Sequence, residues 1–439
     1  MKLAIVVQRY GTDISGGAEL HARYIAERLS RHAEVRVLAT CARDYVTWRN
    51  ELPAGVETVD GVTVERFPVA RERDPWQFGR ASERVFQFTH SIRDELAWLE
   101  SEGPLCPALV RRLRRAQHAF DYVLLFSARY YQAYHGARAA AARAVLVPTA
   151  ERDEALALAI FGPVFRGVRA IMYNSLEERA MIEAAAGNAD VPNTVVGVGS
   201  AIPAAPDATR FRQKHGAHTR FVLYVGRIDP NKGCGELFDF FARYAERAEA
   251  PPRLLLIGRP NMEIPAHPLI RHIGAVGDED KFDAIAAAEA IIVPSYYESL
   301  SMAALEAWAL GRPVLANARC DVLVGQCLRS NAGLFYRDSA EFAAALDRIL
   351  GDPAVAAGLG RNGTAYYRQH YDWPVIERKY LDMFARLDAE TRTGVPRRMA
   401  PLPGWWARRR RSVPPAAAVL ASLPSGPIAP RVGGQEART

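Results

Sequence analysis

Along this chain, short continuous apolar runs alternate with longer stretches of helical period, and that alternation indicates the fold class. Lys2 to Val7 reads as a strand, Ala18 to Arg31 as a helix with Leu20, Tyr24, Ile25 and Leu29 on one stripe, and Glu34 to Ala39 as the next strand. This is a βαβ opening. Further strands are expected at Val62 to Phe67, Tyr122 to Phe126, Val145 to Val147 and Ile171 to Tyr173, with helical stretches over 80–99, 107–119, 132–143 and 175–186. Glycines and prolines from Gly197 to Pro206 break the pattern and mark an interdomain linker. The alternation then restarts. Phe221 to Val225, Leu254 to Ile257, Ile291 to Val293 and Pro313 to Ala316 read as strands, with helices from about Gly233 to Glu249 and up to Leu310. Ser339 to Leu350, Ala354 to Gln369 and Trp373 to Ala389 close the pattern as helices. Two successive doubly wound α/β units follow from this order.

Bulk properties narrow the class. A chain of 439 residues with 49% hydrophobic content has material for two or three domain cores. The five cysteines (41, 106, 234, 320, 327) are odd in number and lack close metal-ligand spacing, which disfavours disulfide frameworks and zinc sites and fits a reducing cytoplasm. Leu3 to Val7 is too short for a signal segment, and Ala416 to Leu423 is far short of a spanning helix, so no membrane crossing is expected. The formal charge of +7 is local: after Gly394 there are eight arginines (397, 398, 408–411, 431, 438) against the single acid Glu436. The body is electrically balanced, and this disfavours a nucleic-acid-binding body.

The chemistry concentrates at strand-to-helix loops. Glu298 and Glu306 are separated by seven residues, the first just past an apolar strand and the second about two turns into a helix. Such a loop offers free backbone N–H groups at the helix start for a ligand phosphate and places both acids on the sugar side of that anion. Taken alone, the two acids read best as a solvated loop acid and an amphipathic-helix acid; they gain meaning beside Arg227 and Lys232. In Tyr224-Val-Gly-Arg-Ile-Asp-Pro-Asn-Lys-Gly233, Gly226 permits a sharp exit from a strand, Arg227 offers a planar fork, and Lys232 a compact charge. With 5 lysines against 51 arginines, a lysine at this point suggests a geometric need. Gly16 and Gly17, between the first strand and first helix, would let backbone approach an anionic ligand.

These segments together resemble the retaining GT-B glycosyltransferases of family 4 over residues 1 to about 390. The resemblance rests on Ser15-Gly-Gly-Ala-Glu19, Val225 to Gly233, the E-x7-E spacing of Glu298 and Glu306, and Gly311-Arg-Pro-Val. It implies two Rossmann-like domains facing a central cleft: residues 1–199 on the acceptor side, with helix 373–390 packing back on them, and residues 200–372 binding a nucleotide sugar. By that resemblance Arg227 and Lys232 neutralise the donor diphosphate and Gly16 lends it backbone contact. Glu306 holds the ribose hydroxyls and Glu298 the transferred hexose; Ile273 and Gly274 contact the base; Leu300, Ser301 and Met302 offer N–H groups. Two departures stand out. Ser299 and Ser301 occupy positions where many relatives have glycine, and Glu151 or Arg152 lies where relatives often place a sugar-contacting histidine.

The implied activity is transfer of a hexose to a saccharide or lipid-linked acceptor, in polysaccharide or glycolipid assembly, with no metal and no cofactor. The chain also has no Asp-x-Asp metal motif in a suitable loop. Two other readings use the same segments: another GT-B enzyme (a nucleotide-sugar epimerase, or a glycan phosphorylase with a lysine-bound pyridoxal cofactor), and a catalytically silent sugar-nucleotide scaffold, suggested by the missing histidine. The segment 391–439, rich in Pro, Ala, Gly and Arg, reads as disordered. Within it Trp405-Trp-Ala-Arg-Arg-Arg-Arg411 joins interfacial aromatics to a charge cluster, which suits either a reversible contact with anionic membrane or a solvated tail.

Overall fold

The computed structural model describes residues 1–14, 16–394 and 416–423. Its first sheet contains β1 (Lys2–Val6), β2 (Glu34–Thr40), β3 (Gly55–Val59), β4 (Val62–Phe67), β5 (Tyr122–Phe126), β6 (Ala144–Val147), β7 (Ala170–Tyr173) and β8 (Asn193–Val195). The strands lie in the order β3-β4-β2-β1-β5-β6-β7-β8, parallel except for the edge pair β3–β4. Around them stand α1 (Gly17–Leu29), α2 (Pro75–Gln87), α3 (Ile92–Glu102), α4 (Pro107–Ala116), α5 (Tyr131–Ala139), α6 (Phe161–Gly167) and α7 (Leu176–Ala186). Leu3 and Ile5 join one buried cluster while Ala4 and Val6 join another, so β1 is covered on both faces, as a parallel central strand requires.

After α8 (Ala208–His215), a second sheet is built from β9 (Phe221–Val225), β10 (Arg253–Ile257), β11 (Ile270–Gly274), β12 (Ile291–Val293), β13 (Val314–Asn317) and β14 (Gly333–Tyr336). Its order, β11-β10-β9-β12-β13-β14, is parallel throughout. Its helices are α9 (Cys234–Arg247), α10 (Asp278–Ala287), α11 (Met302–Ala309), α12 (Asp321–Ser330), α13 (Ser339–Gly351) and α14 (Pro353–His370). Strand order reverses between β1 and β5 in one sheet and between β9 and β12 in the other. In open α/β sheets ligands gather at the carboxyl ends of strands at such reversals.

Several elements depart from the sequence reading. The stretch 80–99 is two helices, because Ser91 and Asp94 form a capping box that starts α3 afresh. Strand β3 is an exposed antiparallel edge with no apolar run to announce it. Strands β8, β11 and β14, of three to five residues, were likewise unread. Two corrections concern the end of the chain. Helix α15 (Trp373–Thr393) runs into the segment read as disordered, and α16 (Ala416–Ser422), an alanine-rich run of high helix propensity, lies inside it. The motif Trp405 to Arg411 lies outside the described residues.

The two sheets are joined by α15, which starts beside the linker and ends against the first sheet. Asp372 caps its first turn, and Trp373 Nε1 donates to the Ser200 carbonyl at 3.0 Å. Farther along, Phe384 stacks on Tyr122 with ring centroids 4.9 Å apart, and Tyr122 donates to Asp388. Arg169 bonds Glu390 at 2.9 Å and the Leu387 carbonyl at 2.8 Å. Phe384 is 2% exposed. Phe384→Ala is therefore expected to destabilise the chain by about 3–5 kcal/mol, the usual cost of emptying an aromatic core position. Hydrogen exchange should show the loss in β5, where Tyr122 lies; unchanged protection there would refute this anchoring.

Candidate functional site

On the second domain the site begins where β9 ends. Asp229 accepts from the Asn231 amide at 2.9 Å and starts a single 3₁₀ turn, Pro230–Lys232, which closes on Gly233 at φ 71°. A Cβ on Gly233 would lie 2.0 Å from the Pro294 carbonyl oxygen, so only glycine allows this loop to touch the one leaving β12. That contact joins the two loops at the strand-order reversal. Lys232 Nζ consequently lies 2.9 Å from Glu298 Oε1. Burial pushes the Lys232 ammonium down, but Glu298 and Glu151 outweigh it and hold it above its ordinary value.

Glu306 lies on the buried face of α11 and points elsewhere. Its Oε1 accepts from Lys281 Nζ at 2.9 Å and from Ser200 Oγ at 2.8 Å. Lys281, on α10, is also held above its ordinary value, because Glu306 and Asp278 overcome the effect of burial. Between the two glutamates, Leu300 and Ser301 are buried and Met302 begins α11. Ser301 has φ 89°, a conformation that L residues rarely adopt, which is the physical reason a glycine would be at ease here. Its Oγ accepts from the Ala304 amide at 3.4 Å. Ile273 and Gly274 end the edge strand β11, separated from β9 by β10, and the Gly274 carbonyl accepts from Gly258 N at 3.0 Å.

The first domain contributes the opposite wall. Gly16 is followed by α1, which begins at Gly17; a Cβ on Gly16 would lie 2.2 Å from Glu19 Oε2, so that residue's lack of a side chain makes room for the carboxylate. Glu19 is paired with Arg9 through Nη2 at 2.7 Å and Nε at 2.9 Å. Ser15, part of the same opening, lies outside the described residues. Arg227 reaches across the cleft, donating from Nη1 to the Tyr45 hydroxyl at 2.7 Å. Asn174 Nδ2 donates to Ser299 Oγ at 3.3 Å, a second bond between the domains.

Of the two residues in the histidine region, Glu151 faces the site and Arg152 does not. Arg152 pairs with Asp321 at 3.3 Å on the exposed rim. Glu151 keeps an exposed surface. Desolvation by the neighbouring protein, opposed by Lys232 and reinforced by Glu298 and Asp153, pushes its carboxyl up to about 7. Its loop is fixed from behind by Glu178, which accepts from the amides of Ala150 at 2.6 Å and of Asn174. Glu178 is itself wholly buried, and desolvation pushes it up to about 8 against those two bonds.

The structure thus brings Lys232, Glu298 and Glu151 into one cluster, with Arg227 and Gly16 on facing walls and Glu306 behind in a separate buried pair. Sequence reasoning missed Arg9, Tyr45, Asn174, Glu178, Ser200 and Lys281. Lys281 carried a usable signal, being one of only five lysines. Tyr45, Asn174 and Ser200 are common residue types whose partners lie more than 100 residues away, and Arg9 and Glu178 are common types in local pairs. Among the described residues no group of three or more His, Cys, Asp or Glu side chains could hold a metal ion, and no helix is long and apolar enough to cross a membrane.

Residues 219–352 match the family model described as glycosyl transferases group 1. The chain is 29% identical over 198 residues to a D-inositol 3-phosphate glycosyltransferase of Corynebacterium efficiens, covering 41% of this chain and 46% of that one. It spans about half the length of several such curated relatives. With a glycogen synthase of Mycobacterium tuberculosis the identity is 24% over 410 residues, 86% of this chain and 92% of the relative. The fold superposes on the Anabaena HepE protein, solved with UDP-glucose, with a TM-score of 0.64 and 18% identity, covering 88% of this chain and 100% of that one. By fold the chain is of the GT-B type, and residues 219–352 match the glycosyl transferases group 1.

Proposed function

We propose that the chain is a retaining, metal-independent family 4 hexosyltransferase that moves a hexose from a nucleotide diphosphate sugar to a saccharide or lipid-linked acceptor, in polysaccharide or glycolipid assembly. One observation carries this reading: Lys232 and Glu298 meet at the strand-order reversal of the second domain and face Glu151 of the first. HepE was solved with UDP-glucose, which supports a nucleotide sugar as the donor class.

In this reading Lys232 and Arg227 neutralise the departing diphosphate, and the start of α11 adds backbone N–H groups. Binding the donor exchanges Glu298 on Lys232 for phosphate oxygens and frees Glu298 for the hexose hydroxyls. Glu306, held by Lys281 and Ser200, receives the ribose. The catalytic power rests on positioning and on fixed charge around the leaving group, not on a protein nucleophile. Residues 1–199 take the acceptor, and residues 200–372 the donor. The Trp405 to Arg411 motif would supply a peripheral contact with anionic membrane from the cytoplasmic side.

Three outcomes follow. Lys232→Ala and Arg227→Ala should each lower transfer about a hundredfold, the usual loss of ~3 kcal/mol for one such electrostatic contact, with the thermal midpoint retained; wild-type turnover in both would sink the phosphate assignment. Glu306→Ala should weaken calorimetric binding of free nucleoside diphosphate, whereas Glu298→Ala should leave it intact or tighter, since it frees Lys232. The reverse ranking would exchange their roles. Finally, Glu151 is neutral below about pH 7 and charged above it. Its ionisation adds a negative charge beside the diphosphate, so nucleotide affinity should fall as pH rises through 7. Glu151→Gln should abolish that dependence, and an unchanged pH profile in this variant would count against it.

A further inference from the structure

The loop after β2 is tied down from several sides yet presents an exposed tyrosine to the other domain. Arg9 Nη1 donates to the Arg43 carbonyl at 2.7 Å, and the Arg73 amide donates to the Thr47 carbonyl at 2.6 Å. Arg73 Nη1 reaches the Tyr45 carbonyl at 3.1 Å. Trp48 is buried at the base, its Nε1 donating to the Glu102 carbonyl at 2.8 Å. At the tip Asp44 accepts from the amides of Val46 and Thr47, both at 2.6 Å. From this rigid mount the Tyr45 side chain projects, the residue being 38% exposed, so packing does not explain its orientation. Its hydroxyl accepts from Arg227 at 2.7 Å, and its ring lies near two guanidinium groups, with Arg227 Cζ 5.3 Å and Arg9 Cζ 5.7 Å from the centroid.

We propose that Tyr45 is a positioning residue of the donor site, acting from the first domain on the Arg227 fork. The proposal rests on the reading of Arg227 as a diphosphate ligand. An exposed arginine samples many rotamers, and a phosphate that recruits it must bear the cost of ordering it. Tyr45 bears part of that cost in advance by holding one Nη while leaving the remaining N–H groups of the fork for phosphate oxygens. It also links donor affinity to domain closure, because the contact exists only when the two domains face each other. The same ring touches Arg9, whose partner Glu19 lies in the first turn of α1, so the loop carrying Gly16 and the loop carrying Tyr45 move as one wall.

The test is a double-mutant cycle on the full chain, with Tyr45→Phe and Tyr45→Ala each made in the wild-type and Arg227→Ala backgrounds. Binding of UDP and of GDP is measured by calorimetry. Tyr45→Phe should weaken the nucleotide that binds by about fivefold, and Tyr45→Ala by about tenfold, the scale of one charge-assisted hydrogen bond at an open site. Both effects should vanish in the Arg227→Ala background. Equal losses in both backgrounds would show that Tyr45 acts independently of Arg227 and would overturn the proposal. Tighter binding by Tyr45→Phe would do so as well, since the contact would then be a block. If Arg227→Ala binds like wild type, or neither nucleotide binds the wild type, the diphosphate reading beneath it fails instead.

Discussion

The chemistry proposed for this molecule depends on three ionisable groups that the fold places together in a cleft: Lys232, Glu298 and Glu151. An ammonium between two carboxylates carries one negative charge too many, and partial withdrawal from water makes that imbalance felt. Desolvation above all, with Glu298 and Asp153 against Lys232, pushes the Glu151 carboxyl up to about 7. A phosphate ligand adds negative charge of its own, so in the proposed reading it would need Arg227 beside Lys232 and a neutral Glu151, and it would take Lys232 while releasing Glu298 to sugar hydroxyls. The free protein holds Lys232 on an internal carboxylate, and the proposed reading exchanges that carboxylate for phosphate.

The fold brings these groups together by two reversals of strand order. The β9 and β12 loops can touch because Gly233 bears no side chain against Pro294. The opposite wall comes from loops following β1, β2 and β6 of the other sheet. What registers one wall against the other is a knot at the linker. Ser200 donates from Oγ to Glu306, receives Trp373 Nε1 on its carbonyl, and donates from its amide to the Tyr367 hydroxyl at 3.1 Å. A linker residue is thus bonded directly to one of the two glutamates, so the linker and that carboxylate share a single side chain.

The central strands of both sheets and their flanking helices were legible because their apolar runs are uninterrupted and their helices keep one stripe. Edge strands β3 and β11 escaped notice since half-exposed edges need no such run. Of the candidate site, Arg227 and Lys232 could be singled out because glycines flank them and lysine is rare in this chain, and Glu298 and Glu306 by their E-x7-E spacing past an apolar strand. Tyr45, Asn174 and Ser200 could not: each works through a partner more than 100 residues away. Glu151 was placed only to within one residue. Its neighbour Arg152 looked equally suitable until the loop, held by Glu178, set Glu151 near Lys232 and Glu298 and paired Arg152 with Asp321.

The most direct test of the central claim is a crystal structure of the full chain with the nucleotide sugar that raises its melting temperature most. The account predicts the diphosphate on Lys232 and Arg227 at the end of β9, with Glu298 turned from Lys232 toward the hexose. A nucleotide bound elsewhere, with the 2.9 Å pair between Lys232 and Glu298 still intact, would contradict it.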